Sequence, residues 1–238
     1  MRLSAIIPAY NEAARLPRTL AALNGYLLKQ AYEFEIIVVN DGSTDDTADA
    51  IRPAAARIKN FRLVDNENNK GKGCAVRQGM LAAQGDYRIY LDADNAISIE
   101  QIENFWPYLE QGFDLVIGSI EVKGARTGLP AAWYRHFLGK LSKYIIRHTV
   151  LPTIRDSQRA FKLMPGPVAK EIFSRQTLSG WGFDIEILVI ARGLGYKIKE
   201  LPVAWLNSSD SRVKFRDYFK TWRELQKIRR NMRANKYG

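Results

Sequence analysis

Two aspartates, Asp92 and Asp94, follow a run of strand-forming residues with only Ala93 between them. Residues i and i+2 of a strand face the same side, so this spacing predicts two carboxylates directed at one point. Carboxylate oxygens suit Mg²⁺ or Mn²⁺, whose charge would offset their repulsion and which substrate phosphates would share. The same pattern also fits an exposed turn in which Asp94 or Asn95 caps the following helix. The pattern alone favours neither interpretation.

A second acidic segment, VVNDGSTDDT, places Asp41 at the end of an earlier strand. Ser43 or Thr44 is predicted to cap the next helix, with Asp45 and Asp46 in its first turn. Capping leaves Asp41 unexplained, and its carboxylate could accept a hydrogen bond from a ribose hydroxyl or a base N–H. Asp41 is therefore a candidate nucleotide-binding residue.

The segment NKGKGCAVRQG opens a predicted helix with Gly71 and Gly73. The third glycine comes only at Gly79, so the G-x-G-x-x-G dinucleotide fingerprint is not met, and there is no Walker A sequence. Two interpretations remain. The backbone approaches a ligand closely, with Lys72 available to a phosphate, or the segment is an ordinary helix start.

The composition is that of a globular chain. Its 238 residues are 46% hydrophobic, enough for the core of one α/β domain. The single cysteine, Cys74, cannot form an internal disulfide, which fits a reducing cytoplasm. With only His136 and His148, metal chemistry would have to use carboxylates. The N-terminal apolar run ends at Pro8, too short for a signal peptide, and no apolar stretch reaches the roughly 18 residues of a membrane span.

The net charge of +11 is concentrated at the C-terminus. Residues 211–238 carry ten Lys or Arg against Asp217 and Glu224, whereas the rest of the chain is nearly neutral. We therefore expect one domain over residues 1–212 and a basic helix over residues 213–238, within that domain or as a membrane-surface appendage. Nucleic acid, an anionic membrane or plain solvent could face such a helix.

Short apolar runs alternate with helical patterns in the first half of the chain. We expect helices over residues 12–30, 44–59, 72–84 and 98–110, each after a strand, with DLVIGS as a further strand. This alternation predicts an α/β fold of the Rossmann-like kind, with a mostly parallel sheet flanked by helices. Ligands of such sheets bind beyond the carboxyl ends of the strands, where the segments described above lie.

The pattern changes after Ser119. EVKGARTGLP is predicted to be a mobile loop, residues 131–150 a helix, and SQRAFKLM a strand. WGFDIEILVIARGLG is predicted to be a helix that ends at Gly193 or Gly195. YKIKELPVAW would complete the sheet, followed by the tail helix.

Two predicted helices carry apolar stripes. The tail helix would be basic and amphipathic, suited either to an anionic membrane interface or to packing on the domain with a solvated basic face. The helix over residues 131–150 would hold a lipid tail or pack on the sheet, with His148 as a hydrogen-bonded structural residue. The tail stripe consists of Phe215, Tyr218, Phe219, Trp222, Leu225 and Met232, and the other of Trp133, Phe137, Leu141, Tyr144, Ile145 and His148.

The order of these segments carries a resemblance. IIPAYNE, VVNDGSTDDT, NKGKGCAVRQG, LDADNA and GS resemble the family 2 glycosyltransferases of the GT-A fold, and the likeness runs from about Leu3 to Val213. WYRHFLGK, IRDSQRAFKLM, WGFDIEIL and ELPVAW are similar to the branch that moves a sugar onto a polyprenyl phosphate. That branch includes the dolichyl-phosphate glucosyltransferases and, more loosely, the mannose synthases. Asn95-Ala96 after the aspartate pair looks more like the glucosyltransferase side.

The resemblance implies roles for particular residues. Asp92 and Asp94 would hold Mg²⁺ or Mn²⁺ against the diphosphate, with Asp94 the surer ligand and a candidate catalytic residue. Arg135, also a catalytic candidate, would meet the acceptor phosphate. Asp156, and Asp184 with Glu186, would border the sugar, the two aspartates as further catalytic candidates. The nucleotide-sugar set implied by the resemblance is Pro8, Ala9, Tyr10, Glu12, Asp41, Lys72, Asp92, Ala93 and Arg212.

The sequence departs from the family pattern at two phosphate contacts. Ile120 follows GS where the family often has arginine, so Lys123 or Arg126 would supply that contact to the acceptor phosphate. Asn207 and Ser208 stand where a further basic residue is expected.

The reaction implied is an inverting transfer of a hexose from a nucleotide-diphosphate sugar, with UDP-glucose favoured. A phosphate monoester has its second pKa near ~6, so a lipid phosphate is largely dianionic at neutral pH and needs no protein base. In the alternative, Asp156 or Asp184 acts as a base, which would alter the pH profile.

The expected partners are the nucleotide-diphosphate sugar, a polyprenyl or dolichyl phosphate and a membrane surface, besides a membrane-protein partner or a second copy of the chain. The expected location is the cytoplasm, peripherally on the cytoplasmic face of a membrane. One alternative is a soluble family 2 enzyme acting on a polysaccharide or protein. Another is a binding module that uses the basic tail, but no helix-turn-helix, RRM or zinc-finger signature supports nucleic acid as a partner.

Overall fold

The computed structural model describes residues 1–128, 133–206 and 215–237, and of these the side chains of all but residues 133–138 and 215–219. The strands are β1 (Arg2–Ala9), β2 (Glu33–Asn40), β3 (Phe61–Asp65), β4 (Tyr87–Tyr90), β5 (Leu115–Ser119), β6 (Arg126–Thr127), β7 (Lys162–Pro165), β8 (Ile198–Pro202) and β9 (Ala204–Trp205). The helices are α1 (Leu16–Leu27), α2 (Thr47–Arg57), α3 (Lys72–Ala82), α4 (Trp106–Glu110), α5 (Trp133–Thr149), α6 (Gly166–Arg175), α7 (Phe183–Gly193) and α8 (Phe215–Arg233).

Within the described residues, the main sheet has the strand order β3-β2-β1-β4-β7-β5-β8. All neighbours are parallel except β7, which runs antiparallel to both β4 and β5. The predicted mostly parallel α/β sheet is therefore confirmed. Because β7 is reversed, its first residue, Lys162, lies opposite the last residue of β4, Tyr90, at the carboxyl edge.

Helices cover both faces of this sheet, which explains why its central strands are continuously apolar. In β1, Ala5 and Ile7 face one cluster, which includes the apolar side of α1. Ile6 faces a second cluster, built with α3, α6 and α7. Both clusters consist of residues that are almost fully buried. The strands whose carboxyl ends are followed by polar residues are thus held by packing on both faces of the sheet.

The predicted helix over residues 98–110 is divided in the structure. Ile99–Asn104 form a 3₁₀ helix, and α4 then begins at Trp106. Pro107, in the first turn of α4, cannot donate a backbone hydrogen bond to the preceding turn, which explains the break. A further helix, α6, had no counterpart in the sequence predictions.

The loop predicted between Ser119 and α5 contains a short strand. β6 pairs with β9 in parallel, Arg126 opposite Ala204 and Thr127 opposite Trp205. In α5, Ile146 is buried, whereas Leu141 and Tyr144 are exposed. Those two members of the predicted stripe therefore do not pack on the sheet. His148 Nδ1–H donates a hydrogen bond to the Tyr144 carbonyl oxygen (2.8 Å), as expected for a structural histidine.

The described part of α8 packs against the domain. Leu225, Ile228 and Tyr237 are buried in the cluster that contains α7. Trp222 and Met232, which the sequence placed in the same stripe as Leu225, are 54% and 40% exposed. The buried side of α8 is thus rotated from the predicted one, and its outer face presents Trp222 among basic residues. None of the helices in the described residues is both long and apolar enough for a membrane span.

The buried Glu35 carboxylate on β2 contacts β1, β3 and the segment after α3. Glu35 Oε1 accepts hydrogen bonds from the Ser4 hydroxyl (2.6 Å) and the Gln84 N–H (2.7 Å). Glu35 Oε2 lies 3.5 Å from both Arg2 and Arg62. Burial acts to raise the pKa of Glu35, but the hydrogen bonds and the two guanidinium groups together lower it below its ordinary value. A lowered folded-state pKa means that Glu35 contributes stability above its unfolded pKa and loses it as the pH falls through the folded pKa.

Glu35→Gln is therefore expected to lower the free energy of unfolding by about 1–3 kcal/mol at pH 7, since one buried contact to the guanidinium groups is lost. The deficit relative to wild type should shrink as the pH falls from the ordinary glutamate pKa of 4.5 through the lower folded-state pKa, because Glu35 is protonated first in the unfolded chain and then in the folded protein. Urea denaturation at several pH values measures this. Glu33→Gln, at an exposed position of the same strand, is the control. A deficit that stays constant with pH would contradict this account.

Candidate active site

The aspartate pair lies just beyond β4, which ends at Tyr90. Asp92 and Asp94 belong to the turn that follows, so the two-residue periodicity of a strand does not orient them. Asp94 Oδ1 accepts a hydrogen bond from the Ala96 N–H (3.0 Å), and Asn95 has a positive φ of 52°. The next helical segment has Ser98 as its N-cap, so the prediction that Asp94 or Asn95 caps it is wrong.

Lys72 provides the cation beside this pair. Its Nζ lies 2.6 Å from Asp92 Oδ1. Burial acts to raise the pKa of Asp92, but the Lys72 ammonium outweighs it, and the pKa is lowered. Burial likewise acts to lower the pKa of Lys72, whereas Asp92, Asp184 and Asp94 together raise it. Lys72, assigned from sequence as available to a phosphate, thus lies in the field of three carboxylates.

The glycine loop before Lys72 is held against a distant segment. Gly71 has a φ of +98°, and a Cβ there would lie 2.4 Å from the Ser179 carbonyl oxygen. That same oxygen accepts a hydrogen bond from the Gly73 N–H at the start of α3 (2.8 Å). The glycines allow close backbone approach to residues 178–180 of the chain itself, and approach to a ligand stays a prediction.

Asp41 is buried behind this loop, at the carboxyl end of β2. Its two carboxylate oxygens accept hydrogen bonds from the N–H groups of Lys70 (2.9 Å) and Gly71 (2.8 Å). The Asn66 side chain donates a weaker one at 3.3 Å. Asp41 therefore fixes the approach to Lys72, and its contact with a ribose or base stays a prediction.

The other nucleotide-site candidates follow β1. Pro8 and Ala9 are buried, and Tyr10 is 40% exposed. The Glu12 carboxylate pairs with Arg15 at 2.8 and 2.9 Å. These residues border the same edge of the sheet as Asp41, because β1 and β2 are paired in register up to Ala9 and Asn40.

The loop before α2 differs from its prediction. The Asn11 Oδ1 atom accepts hydrogen bonds from the Thr44 N–H (2.8 Å) and the Asp45 N–H (3.3 Å). α2 begins only at Thr47, and its N-cap makes no side-chain hydrogen bond. The predicted caps Ser43 and Thr44 are therefore wrong. Ser43 and Thr44 instead bond to Asn11, and so join the loop between β2 and α2 to the loop between β1 and α1.

Asp184, at the start of α7, belongs to a buried polar network that sequence reasoning missed. Asp184 Oδ1 accepts hydrogen bonds from the Tyr90 hydroxyl (2.5 Å) and from Lys162 Nζ (2.6 Å). Lys162 also donates to the Arg159 carbonyl oxygen and is fully buried. Burial and Asp184 raise the pKa of Tyr90, which therefore stays a hydrogen-bond donor. A lysine within the apolar strand AFKLM was the sequence signal for this network.

Asp156 is also buried and engaged. Its Oδ2 accepts a hydrogen bond from the Ile120 N–H (3.2 Å) and lies 3.4 Å from Arg159. The Arg159 guanidinium is stacked over the Trp205 ring, 4.2 Å from its centroid. Asp156 thus places a cation beside the end of β5, and Arg159 is a second residue that sequence reasoning did not select.

The predicted acceptor-phosphate residues are only partly described. Lys123 and Arg126 are exposed, on the segment between β5 and β6 and on β6 itself. Arg135 lies in α5, with its side chain outside the described residues, and Arg212 lies outside them altogether. β6 pairs with the strand that carries Trp205, so Arg126 and the Arg159–Trp205 stack belong to neighbouring elements.

The site offers a limited set of metal ligands. Among the residues that the structure describes, no three His, Cys, Asp or Glu side chains are grouped as a metal centre. The donor set is Asp92 and Asp94, whose hard oxygen atoms fit a divalent cation that takes its remaining ligands from substrate phosphates and water. Lys72 already neutralises Asp92. Asp94, whose Oδ1 accepts only a backbone N–H, is the better-suited ligand.

Solved structures with the same fold are glycosyltransferases. The chain superposes on mannosyl-3-phosphoglycerate synthase from Rubrobacter xylanophilus with a TM-score of 0.72, at 18% identity, over 99% of this chain and 75% of that one. Glucosyl-3-phosphoglycerate synthase from Mycobacterium tuberculosis, in complex with Mn²⁺, UDP-glucose and phosphoglyceric acid, gives 0.70 at 17% identity over 95% and 79%. The fold is thus that of the GT-A glycosyltransferases.

The sequence profile of glycosyl transferase family 2 matches residues 4–173. The chain belongs to this family and is a nucleotide-sugar-dependent glycosyltransferase. It is 37% identical to dolichyl-phosphate beta-glucosyltransferase ALG5A of Trichomonas vaginalis, over 95% of this chain and 72% of that protein. Dolichyl-phosphate beta-glucosyltransferase of Mus musculus is 30% identical, over 96% and 75%.

Proposed function

We propose that this protein transfers glucose from UDP-glucose to a polyprenyl phosphate of the dolichyl type, with inversion at the anomeric carbon. The observation that carries the proposal is the similarity to dolichyl-phosphate beta-glucosyltransferases over nearly the whole chain. The carboxyl edge of the sheet supports it, because the candidate donor residues Asp41, Lys72 and Asp92 are joined there through one loop.

The donor diphosphate would be bound by the turn after β4 and the start of α3. Asp92 and Asp94 would hold Mg²⁺ or Mn²⁺, which neutralises charge on the departing diphosphate when bound. Lys72 would turn from Asp92 toward a phosphate oxygen, since its long side chain carries a charge that a diphosphate can share. Asp41 would keep the loop before Lys72 in place through the Lys70 and Gly71 N–H groups.

The acceptor phosphate would act as the nucleophile without a protein base. The two buried candidates for a base are already engaged, Asp184 by Lys162 and Asp156 by Arg159. Each carboxylate would have to leave its cation before it could approach the acceptor phosphate. The cationic residues near the end of β5, Lys123, Arg126 and Arg159, would instead orient the phosphate dianion, together with Arg135.

The lipid part of the acceptor requires a membrane surface close to the site. Leu141 and Tyr144 of α5 and Trp222 of α8 are exposed apolar side chains on helices rich in Lys and Arg. Aromatic and basic residues together suit an interface with anionic lipid. We therefore propose a peripheral location on the cytoplasmic face of a membrane.

The decisive experiment follows labelled glucose from UDP-glucose into the chloroform phase in the presence of dolichyl phosphate and Mn²⁺. We expect labelled lipid that requires the acceptor, and little transfer from GDP-mannose. Replacing the lipid phosphate with a polysaccharide tests the soluble alternative. Label found only in a water-soluble product would contradict the proposed acceptor, and transfer from GDP-mannose alone would contradict the proposed sugar.

A further inference from the structure

A short turn, Gly180-Trp181-Gly182, connects the C-terminal helix to the candidate donor site. The Trp181 ring faces Lys72, whose Nζ lies 5.1 Å from the ring centroid. On the other side, Glu224 of α8 accepts a hydrogen bond from the Gly182 N–H at 2.7 Å. The 180–182 turn therefore contacts both Lys72, which pairs with Asp92, and Glu224 of α8.

Glu224 fits closely against this turn. A Cβ added at Gly180 would lie 2.2 Å from Glu224 Oε1, and one at Gly182 would lie 2.8 Å from both Oε2 and Cβ of Glu224. Both distances are shorter than real contacts, so a larger residue at either position would have to displace Glu224: its carboxylate for Gly180, and its Cβ as well for Gly182. The two glycines are thus matched to the Glu224 side chain.

The segment that leads into the turn is held by the start of α3 and by the residues that follow α8. On the α3 side, the Gln176 side chain donates to the Gly73 carbonyl oxygen (2.9 Å). On the α8 side, the Tyr237 hydroxyl donates to buried Glu186 (2.7 Å), which also accepts the N–H groups of Thr177 and Leu178. Residues 176–182 therefore lie between the start of α3 and the C-terminal segment.

We propose that Glu224 is a positioning residue for the nucleotide-sugar donor, acting through the 180–182 turn on Trp181 and Lys72. The inference rests on the proposed function, because it assigns Lys72 to the donor phosphates. Glu224 itself touches neither donor nor acceptor. It fixes the 180–182 turn. The Trp181 ring on this turn then limits where the Lys72 ammonium can move when Lys72 leaves Asp92 for a phosphate oxygen.

Glu224→Ala is expected to raise the Kd for UDP and the KM for UDP-glucose by about fivefold to tenfold, the loss that corresponds to one hydrogen bond. The KM for the lipid phosphate and kcat at saturating donor should stay close to wild type. Glu224→Gln should restore donor binding, because the amide oxygen can accept the same Gly182 N–H. Glu110→Gln, an exposed carboxylate at the end of α4, is the control for loss of charge. Titration calorimetry with UDP and Mn²⁺, beside initial rates, gives the measurements.

Unchanged UDP binding by folded Glu224→Ala would overturn this inference and leave the proposed function intact. Absence of UDP binding by the wild-type protein would overturn both. Gly180→Ala alone still tests the inference if Glu224→Ala is unstable, because the added methyl group displaces the Glu224 carboxylate from the turn; unchanged UDP binding by folded Gly180→Ala would also overturn the inference. Where Glu224→Ala folds, the two changes are combined. Gly180→Ala should weaken UDP binding when Glu224 is present, and Gly180→Ala with Glu224→Ala should be no worse than Glu224→Ala alone. Strictly additive effects of these two changes would contradict the coupling.

Discussion

Lys162→Met is expected to lower the free energy of unfolding by about 3–5 kcal/mol, the usual effect of removing one partner of a buried ion pair. Lys162 is fully buried, and its Nζ lies 2.6 Å from Asp184, which is itself only 2% exposed. The change leaves the Asp184 carboxylate with the Tyr90 hydroxyl as its remaining close donor. Chemical denaturation measures the loss.

Two further variants separate the ion pair from simple packing. Lys170→Met, at an exposed position of α6, should leave stability within about 0.5 kcal/mol of wild type. Lys162→Met combined with Asp184→Asn should be more stable than Lys162→Met alone, because the uncompensated charge is gone. A double variant that is less stable than the single one would show that other groups, such as the Tyr90 hydroxyl, stabilise the Asp184 carboxylate without Lys162, and would contradict the ion-pair account.

Asp94→Asn is expected to lower kcat/KM for glucose transfer by about 10²–10³-fold, roughly 3–4 kcal/mol of transition-state stabilisation. The proposed metal would lose its better-suited carboxylate. The fold should be unaffected, because an asparagine Oδ1 can still accept the Ala96 N–H. The measurement is the initial rate across a range of Mn²⁺ concentrations, together with a thermal melt. Retained activity at ordinary Mn²⁺ would rule out Asp94 as the main ligand.

The neighbouring aspartate should behave differently. Asp92→Asn also removes the partner of Lys72, so we expect it to lower stability as well as activity. Asp49→Asn, an exposed carboxylate on α2, is the control and should change neither quantity. The comparison separates a residue that serves the reaction alone from one that also stabilises the unliganded site.

The parallel part of the sheet could be predicted from the sequence because its signals are local. Apolar runs such as AIIPA and EIIVV are continuous since both faces of β1 and β2 are buried. The reversed direction of β7 could not be read in this way. It depends on pairing with β4 and β5, and the sequence of a strand does not record its direction. The break at Pro107 could have been predicted, since a proline within a predicted helix signals a kink or an end of that helix.

Candidate site residues could be predicted where they follow the end of a strand. Residues whose role depends on a contact with a distant part of the chain could not. Asp41, Asp92 and Asp94 stand directly after strands, and the order of the segments carried the resemblance. Lys162 and Glu224 were missed because their partners are far away in the chain. The sequence also gave no sign that Lys72 pairs with Asp92, because the two residues lie on different elements.

The reversed strand has a consequence for how the chain folds. Strands β1 to β4 can assemble as a unit as soon as they are made, but β5 has no hydrogen-bonded partner among them. Among the strands that the structure describes, β7 alone joins β4 to β5, and it follows α5 in the chain. Closing such a long loop slows folding, so we expect the two halves of the sheet to become one cooperative unit late. The residue that opens β7 is Lys162, so the strand that joins the two halves also brings the charge that Asp184 of α7 then encloses.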